Sequence, residues 1–473
     1  MTAHPNLYAL VYALFIVCLV YTAVLYAFVA FLVAAALREA RERREESAAE
    51  DYDALAASRF TIPVSVVVPA WNEEVAIVAV VRLLLAQNYP EFEVIVVSDG
   101  STDRTIPLLV EAYGLEPAGR APREALPHAR IRTIYGSATH PRLTVIDKEN
   151  GGKADALNCG CSFARYRYVC CVDGDTAYFP DALARGMRPA QADPTTVIGV
   201  SSMFIVSRQP ETEAAGDARG APMDPQWLTN LQYLDLLRSF LCYRLAWSRM
   251  NFMLCNPGAF MIWRRDALFE AGGFSPDFSC EDIEVTFRIH ERFRRMGRPC
   301  RIVTLPDLIG ATEGPSKRKD LAKQRVRWQR VVVETVWAYR RMLARPRYGT
   351  VGLLGMPYYV LYEALAPFFQ AISVVTLGLA IWLRILQWPY YLHFTGLIVF
   401  ATAIPTTIAV YLTLPSLRGR RRRDVARLLW LGPLDFFIYR PILLWAGVRG
   451  LWGFLRGEKA WGKLTRNART GPA

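Results

Sequence analysis

One uncharged apolar run near the N-terminus constrains the fold of this chain more than any other feature. No residue between Asn6 and Arg38 carries a formal charge, and about 20 apolar residues in a helix already cross the hydrocarbon core of a bilayer. We therefore expect a transmembrane helix near Tyr8 to Leu37, within an N-terminal segment of residues 1–40. A cleaved signal peptide is the alternative, but it begins with basic residues and has a shorter apolar core. No Lys or Arg precedes this run.

Later apolar stretches extend the membrane prediction. Apolar residues dominate Val351–Leu383 and Tyr390–Leu417, and we interpret these stretches as a crossing out and back. The last stretch, Leu428–Leu455, carries three charged residues, so it crosses the membrane, dips into it or lies at its surface. We expect two to three transmembrane helices within residues 350–457 and a basic C-terminal tail over residues 458–473.

Positive charges lie mostly beside these apolar segments. The sequence "REARERREE" follows the first run from Arg38, "RGRRRR" spans Arg418–Arg423, and the net charge is +13. A Lys and Arg excess marks the cytoplasmic side of a membrane and attracts acidic lipid headgroups. We therefore expect a multi-pass protein of the inner (plasma) membrane with a cytosolic middle domain, in contact with the lipid bilayer and without a nucleic acid partner.

The cysteines indicate a reducing compartment. There are nine, an odd number without paired CxxC spacing, which fits reduced thiols in a cytosolic domain better than disulfides. The "CGC" at Cys159–Cys161 has no matching His or Cys cluster, so we expect no zinc site.

Between residues 60 and 320, short apolar runs alternate with helical periodicity. Four runs end in polar residues: "VSVVVPA" (Val64–Ala70), "FEVIVVSDG" (Phe92–Gly100), "LTVIDKENGG" (Leu143–Gly152) and "YVCCVDGDT" (Tyr168–Thr176). Such runs, separated by helices, predict a mostly parallel sheet covered on both faces. Ligands bind outside the carboxyl ends of the strands in such sheets. Two Pro-, Gly- and Ala-rich stretches, Glu116–His140 and Gln209–Pro225, are predicted to be surface insertions.

Asp173 and Asp175 follow the fourth run across a single glycine. Two carboxylates so spaced can hold Mg²⁺ or Mn²⁺, which in such sites also takes substrate phosphate oxygens. The alternative is a strand-to-loop turn in which Gly174 supplies the unusual backbone and the Asp side chains cap it.

The other strand ends carry weaker signals. Asp99, in "SDGSTDRT", could accept hydrogen bonds from a base or ribose, although Asp-Gly also suits a turn. "PAWNEE" (Pro69–Glu74) follows the first run, and its carboxylates also suit the first turn of a helix. In "ENGGKADALN", two glycines let backbone approach a phosphate and Lys153 supplies charge, although a loop before a helix explains the same letters.

Two helical motifs complete the set. "SCEDIEVTFRI" places Asp282 at the start of a helix, as a general base if it reaches an attacking hydroxyl, or simply as a favourable charge near a helix N-terminus. "QRVRWQR" places Gln324, Arg327 and Trp328 on one helix face. The alternative for this second motif is an interfacial amphipathic helix with a Trp anchor.

Taken in chain order, these motifs resemble the processive inverting family-two glycosyltransferases, membrane enzymes that build cellulose, chitin, hyaluronan and poly-β-1,6-N-acetylglucosamine. The resemblance covers Ile62 to Trp328. It implies the α/β class: a GT-A-type catalytic domain with a Rossmann-like mixed sheet over residues 60–320, an interfacial helix with the QxxRW signature over residues 321–347, and transmembrane α-helices.

The resemblance also implies roles for individual residues. Pro69, Asn72, Glu74 and Asp99 would hold the uridine part with Lys153 close by; Asp173 and Asp175 would bind the metal and diphosphate; Asp282 would be the catalytic base; and Gln324, Arg327 and Trp328 would bind the diphosphate and the end of the acceptor. "NPGAFMIWRRDAL" resembles the acceptor-site stretch. Pro257 in this stretch, Cys280 and Val331 depart from the residues common in relatives, which affects the expected substrate preference.

The implied activity is polymerisation of a sugar from a UDP-sugar, with UDP-N-acetylglucosamine as first candidate and Mg²⁺ or Mn²⁺ as cofactor. A growing polysaccharide would be exported past aromatic residues of the membrane helices, at Tyr358, Tyr359, Tyr362, Trp382 and Trp388; an interfacial aromatic belt is the alternative for them. An accessory export subunit or regulator would be a separate chain. Two competing functions are single transfer to a ceramide or polyprenyl-phosphate lipid, and a catalytically silent membrane scaffold.

Overall fold

The computed structural model describes residues 5–207, 224–385, 388–417 and 422–458. Most of the predicted insertion Gln209–Pro225, part of the basic run Arg418–Arg423 and nearly all of the predicted C-terminal tail lie outside the described residues.

A single ten-stranded sheet forms the centre of the domain that follows the N-terminal helix. In chain order its strands are β1 (Val64–Ala70), β2 (Phe92–Asp99), β3 (Leu115–Pro117), β4 (Ile131–Ser137), β5 (Leu143–Lys148), β6 (Tyr168–Val172), β7 (Thr176–Tyr178), β8 (Val197–Ser207), β9 (Phe260–Arg264) and β10 (Arg301–Glu313). Their order in the sheet is β3-β4-β5-β2-β1-β6-β9-β8-β10-β7.

The four strands predicted from apolar runs form the parallel middle of this sheet. β1 lies between β2 and β6, with Val67 level with Ile95 on one side and Cys171 on the other. Every residue of β2 and β6 is buried, because helices cover both faces, and this explains why these strands lack a polar alternation. β9 runs antiparallel between β6 and β8, so the sheet is mixed, as the GT-A-type α/β prediction requires.

The prediction that Glu116–His140 is a surface insertion is wrong over part of its length. β3 and β4 pair with each other and β4 pairs with β5, both in antiparallel fashion. Residues of β4 are only partly buried, since this hairpin lies at the sheet edge. Its weak apolar pattern reflects that edge position.

Helices pack on both faces of the sheet and continue beyond it. Those of the sheet domain are Tyr52–Ala57, Ile77–Leu85, Thr105–Tyr113, Lys153–Phe163, Ala182–Ala192, Trp227–Arg238, Leu245–Arg249, Arg265–Glu270, Glu281–Arg295 and Arg318–Ala338. We call Glu281–Arg295 the base helix and Arg318–Ala338 the signature helix. The signature helix ends before residue 347, because short 3-10 turns at Arg340–Met342 and Pro346–Tyr348 follow it.

The apolar segments form long helices around this domain. Pro5–Ala49 is one continuous helix; the others are Met356–Tyr358, Ala366–Trp382, Trp388–Thr413, Arg422–Ile438 and Arg440–Leu455. Among the described residues, two helices are long and apolar enough to cross a membrane, and up to four are if each of two bent pairs is one span. We call Arg422–Ile438 and Arg440–Leu455 the C-terminal helix pair.

Two of the predicted apolar stretches are bent. Val351–Ala364 meets Ala366–Trp382 at 45°, and the two members of the C-terminal helix pair also meet at 45°. In each case a proline occupies the first turn of the second helix, namely Pro367 and Pro441. Proline lacks the backbone N–H that would continue the preceding helix, so a break at these positions follows from covalent structure.

Candidate active site

A cavity of about 2210 Å³ opens at the carboxyl ends of β1, β2 and β6. It brings together ten of the predicted site residues: Pro69, Asn72, Asp99, Lys153, Asp173, Asp175, Asp282, Gln324, Arg327 and Trp328. The remaining one, Glu74, is exposed, and its carboxylate accepts a hydrogen bond from the backbone N–H of Arg104 at 3.0 Å.

The turn after β1 presents Asn72 and Glu73 to the cavity. Asn72 has a φ of 56°, in the left-handed region that asparagine tolerates better than most residues. Its side-chain oxygen accepts from the backbone N–H of Thr102 at 2.8 Å, which joins this turn to the loop after β2. The conformation of this turn buries Glu73 rather than Glu74. The sequence alone does not show which of these two adjacent glutamates is buried.

Asp99 belongs to a buried cluster that we call the Lys148 cluster, comprising Asp99, Lys148 and Asp155. The Lys148 ammonium is fully buried and lies 2.5 Å from a carboxylate oxygen of each aspartate. Although burial alone would lower it, these two carboxylates raise the pKa of Lys148 above its ordinary value. The backbone N–H groups of Gly151 and Gly152 donate to Asp99 at 2.9 and 2.8 Å. Protein donors thus surround Asp99, and it fixes the loop that precedes Lys153.

A second group, which we call the acidic cluster, consists of Asp173, Asp175, Glu281 and Asp282. The ammonium of Lys153 lies 2.6 Å from Asp173 and 2.8 Å from Glu281. Burial and the neighbouring charge of Asp173 raise the pKa of Asp175 to about 7, against the opposing effect of Lys153. Like charges therefore crowd one another in this cluster.

The residues of the acidic cluster fit a hard divalent cation that arrives with a ligand of its own. Asp173 and Asp175 offer carboxylate oxygens, the ligands that Mg²⁺ and Mn²⁺ prefer. Within the described ranges, no group of three or more His, Cys, Asp or Glu side chains is arranged to hold a metal ion. Mg²⁺ that binds together with a nucleotide is typically held by one or two protein carboxylates, and phosphate oxygens and water supply its other ligands. The pair Asp173 and Asp175 matches this arrangement.

Asp282 stands in the first turn of the base helix and faces the cavity. Its two carboxylate oxygens accept from the backbone N–H groups of Gly258 and Ile283, at 3.0 and 2.8 Å. Burial and the charge of Glu281 raise the pKa of Asp282 to about 6. A partly buried carboxylate with such a pKa is ionised at neutral pH and is basic enough to accept a proton.

Gly258 leaves the space between the acidic groups open. A Cβ atom at this position would lie 3.0 Å from the Lys153 ammonium and 3.5 Å from the nearer Asp282 oxygen. The glycine of the "NPGAF" segment therefore keeps the place where the charged groups converge free of a side chain.

The signature helix closes another side of the cavity. Gln324, Arg327 and Trp328 all line it, as their spacing on one helix face predicts. Burial, followed by the charges of Asp282 and Glu281, raises the pKa of the Cys280 thiol well above its ordinary value, while Arg327 opposes this shift. Arg327 therefore lies within electrostatic reach of Cys280, two residues before Asp282.

His290 lies on the base helix, and its surroundings indicate a structural role. It is fully buried, and a ring nitrogen lies 2.8 Å from the carbonyl oxygen of Met253. Burial and the charge of Arg294 lower the pKa of His290 to about 3. It is neutral at physiological pH and lies outside the cavity lining.

The cavity continues from the carboxylates to the long helices. Tyr358, Tyr359 and Tyr362 line this part, together with Phe15 of the N-terminal helix. Trp382 is 69% exposed and does not line the cavity, which fits the aromatic-belt interpretation. The side chain of Trp388 lies outside what the structure describes.

Comparisons with known proteins identify the family and the fold of this chain. A family model described as "Glycosyltransferase like family 2" matches residues 62–330. A poly-β-1,6-N-acetyl-D-glucosamine synthase of Staphylococcus aureus (strain COL) is 25% identical over 309 residues, 64% of this chain and 60% of the relative. The synthase of the same name from Staphylococcus epidermidis (strain RP62A) is 24% identical over 269 residues, 56% of this chain and 53% of the relative. The chain thus spans little more than half the length of these relatives.

Among solved structures, a mannosyltransferase from Pyrobaculum calidifontis in complex with GDP-Man and Mn²⁺ shares the fold. The TM-score is 0.54 at 20% sequence identity, covering 94% of this chain and all of that one. The predicted fold class is confirmed by this likeness and by the family match. Because that match covers more than half of the sequence, the chain belongs to the family described as Glycosyltransferase like family 2.

Proposed function

We propose that this protein is a membrane-bound inverting β-glycosyltransferase that polymerises a sugar from a UDP-sugar, with UDP-N-acetylglucosamine as the first candidate donor. The names of the staphylococcal relatives support N-acetylglucosamine as the sugar and a polymer as the product. The site would face the cytosol at the inner (plasma) membrane, as the arginines after the N-terminal run predict.

One observation carries the proposal. The carboxylates after β6, the carboxylate of Asp282 and the side chains of Arg327 and Trp328 meet in one cavity that continues between the long helices. A transferase needs a diphosphate site, a base and an acceptor site within reach of one another. Each is supplied here by a different element of the fold.

In the proposed reaction, Asp282 accepts the proton of an acceptor hydroxyl as that oxygen attacks the anomeric carbon. The attack comes from the face opposite UDP, so the configuration at this carbon inverts. The backbone N–H groups of Gly258 and Ile283 hold the Asp282 carboxylate in place. Asp173 and Asp175 would hold Mg²⁺ or Mn²⁺, which neutralises charge on the departing diphosphate.

The donor site would occupy the edge between β1 and β2. Pro69, Asn72 and Asp99 line this edge. The hydrogen bonds of Asp99 favour an indirect role for its carboxylate, which fixes the glycine loop before Lys153. We extend the donor-site proposal to Glu73, since it is buried at the cavity wall, whereas Glu74 points away from it.

A single transfer to a lipid acceptor is the second candidate function. The cavity reaches apolar side chains of the N-terminal helix, including Phe15 and Leu19, and an acyl or polyprenyl chain could lie against them. The same path could carry a sugar polymer along Tyr358, Tyr359 and Tyr362, since aromatic rings stack on sugar rings.

Purified membranes containing the full chain, incubated with radiolabelled UDP-sugars and Mg²⁺ or Mn²⁺, test the proposal. We expect label from UDP-N-acetylglucosamine to enter material of high and variable mass that resists lipid extraction. One discrete lipid-soluble product would support the single-transfer function instead. If no UDP-sugar in the panel yields either product above a membrane control lacking this chain, the proposed function is wrong.

A further inference from the structure

A buried network of polar side chains connects the signature helix with the C-terminal helix pair. We call it the tether; its members are Asp235, Arg238, Arg325, Asp435, Tyr439 and Arg440. None of these residues belongs to the predicted site, yet four of them line the same cavity as Trp328: Asp235, Arg238, Arg325 and Arg440.

Arg325 joins the tether to Trp328. Its guanidinium carbon lies 4.3 Å from the centroid of the Trp328 ring, within the range of a cation–π contact. One terminal nitrogen lies 2.9 Å from an Asp235 oxygen, and the other donates to the Tyr439 hydroxyl at 2.8 Å. Because Arg325 is held on two sides and stacks on the indole, rotation of the Trp328 ring would break that stacking.

The tether continues into the C-terminal helix pair. Arg238 is nearly fully buried and donates to the buried Asp435 at 2.9 Å. Arg440 donates to the same oxygen of Asp435 at 3.1 Å. Through these contacts the C-terminal helix pair is bound to the helix Trp227–Arg238, which also holds Arg325 through Asp235. A buried ionic network of this kind is strongly destabilised when one partner is removed.

Backbone packing brings the same two elements together. A Cβ atom at Gly450 would lie 2.8 Å from the carbonyl oxygen of Val326, the residue next to Arg325. The second C-terminal helix therefore packs directly against the turn of the signature helix that carries Arg325 and Trp328. Any shift of that helix would move this turn.

We propose that Arg325 is a positioning residue, which orients Trp328 at the acceptor side of the cavity and makes that orientation depend on the C-terminal helix pair. This inference rests on the proposed function. Apart from Lys153 and Arg327, the proposed donor contacts lie on other elements, at the ends of β1, β2 and β6. Loss of Arg325 would therefore leave donor binding intact while the acceptor end loses a fixed wall, and water would compete with the acceptor for the donor sugar.

The test compares Arg325→Met with Arg318→Met in the full chain. Arg318 lies on the same helix and stacks on Trp227 at 4.9 Å, but it is exposed and does not line the cavity. We expect Arg325→Met to lower sugar transfer about tenfold while UDP affinity changes by less than about twofold. The ratio of UDP released to sugar transferred should rise, and Arg325→Lys should restore part of the transfer. Arg318→Met should behave as wild type.

A double-mutant cycle with Trp328→Leu separates positioning from general stability. If Arg325 acts through Trp328, the double variant transfers sugar about as fast as Trp328→Leu alone. Fully additive losses, or equal behaviour of the Arg325 and Arg318 variants, would overturn the inference. Should Arg325→Met fail to fold, Tyr439→Phe removes one hydroxyl of the tether and should raise the same UDP-to-sugar ratio; an unchanged ratio would overturn it as well. Inactive wild-type membranes would instead contradict the proposed function.

Discussion

The Lys148 cluster and the acidic cluster lie at the same edge of one sheet, yet their charges are balanced differently. In the first, the Lys148 ammonium and backbone N–H groups surround the carboxylate of Asp99. In the second, four carboxylates face the ammonium of Lys153, which contacts Asp173 and Glu281. The first cluster is complete within the protein. In the proposed reaction, a divalent cation and the proton of the acceptor would complete the second.

This difference separates residues that hold the fold from residues that we propose perform the chemistry. Burial and neighbouring negative charge raise the pKa of a carboxylate, and the pKa values of Asp175 and Asp282 are raised to about 7 and about 6. Strongly shifted groups that share a cavity are characteristic of functional sites. The two clusters therefore predict opposite responses to substitution.

Removing the proposed base, Asp282, should have the largest effect. Asp282→Asn keeps an oxygen that can accept from a backbone N–H but cannot take a proton at neutral pH, so transfer should fall about 10³-fold. UDP affinity should change little, because most of the proposed donor contacts lie at the ends of strands, whereas Asp282 lies on the base helix. Radiolabelled transfer and UDP titration on the same preparation provide the measurement. Asp277→Asn, at an exposed position outside the cavity lining, is the control, and a turnover equal to wild type in the Asp282 variant would end its assignment as base.

Removing the cation of the Lys148 cluster should lower the stability of the fold rather than the rate of sugar transfer. Lys148→Met leaves Asp99 and Asp155 buried without their shared cation, which should lower the free energy of unfolding by about 3–5 kcal/mol. Thermal melting in detergent would detect this loss. Arg132→Met is the matched control, because Arg132 is half exposed and lies 3.9 Å from Asp147, and such surface pairs contribute at most about 1 kcal/mol. Similar melting temperatures for both variants would contradict the comparison.

Removing one negative charge from the acidic cluster should instead increase the stability of the fold. The pKa of Asp175 in the folded protein, about 7, lies above its ordinary value of 3.8, so its ionisation destabilises the metal-free fold at high pH. Asp175→Asn should therefore melt at a higher temperature than wild type at pH 8. The gap should shrink as the pH falls through about 7 and vanish near the ordinary value. A variant less stable than wild type at pH 8 would show that the carboxylate is compensated in the fold.

The pH dependence of transfer should be the smallest of these effects. Because Asp282 must be ionised to accept a proton and its pKa is raised to about 6, the rate at low substrate concentration should be flat at neutral pH. Below pH 6 it should fall about tenfold per unit. A profile that stays level down to pH 4.5 would mean that this carboxylate does not limit the reaction.

Residues that directly follow an apolar run were predictable from the sequence. The positions of Asp99 and Asp173 at strand ends could be predicted, because ligands bind at the carboxyl ends of buried parallel strands and polar residues are expected there. The grouping of Gln324, Arg327 and Trp328 followed from helical spacing alone.

Contacts between distant segments were not predictable in this way. The Lys148–Asp99 pair joins residues 49 apart in sequence, and no periodic pattern signals that pairing. Glu73 and Glu74 are adjacent, so a single turn decides which one is buried. Arg325 stands within the QxxRW signature, but its partner Asp235 lies on another helix and its partner Tyr439 lies at the break of the C-terminal helix pair. Only the packing of these elements reveals the position of Arg325.

Isothermal titration of the purified chain with UDP, in Mn²⁺ and in EDTA, tests the central claim most directly. The same titrations on Asp175→Asn and on Arg132→Met distinguish the acidic cluster from a general effect of substitution. We expect wild type and Arg132→Met to bind UDP in Mn²⁺ at least about tenfold more tightly than in EDTA, and Asp175→Asn to lose this difference. Equal UDP affinity of wild type in Mn²⁺ and in EDTA would contradict the claim that these carboxylates are completed by a cation shared with the nucleotide.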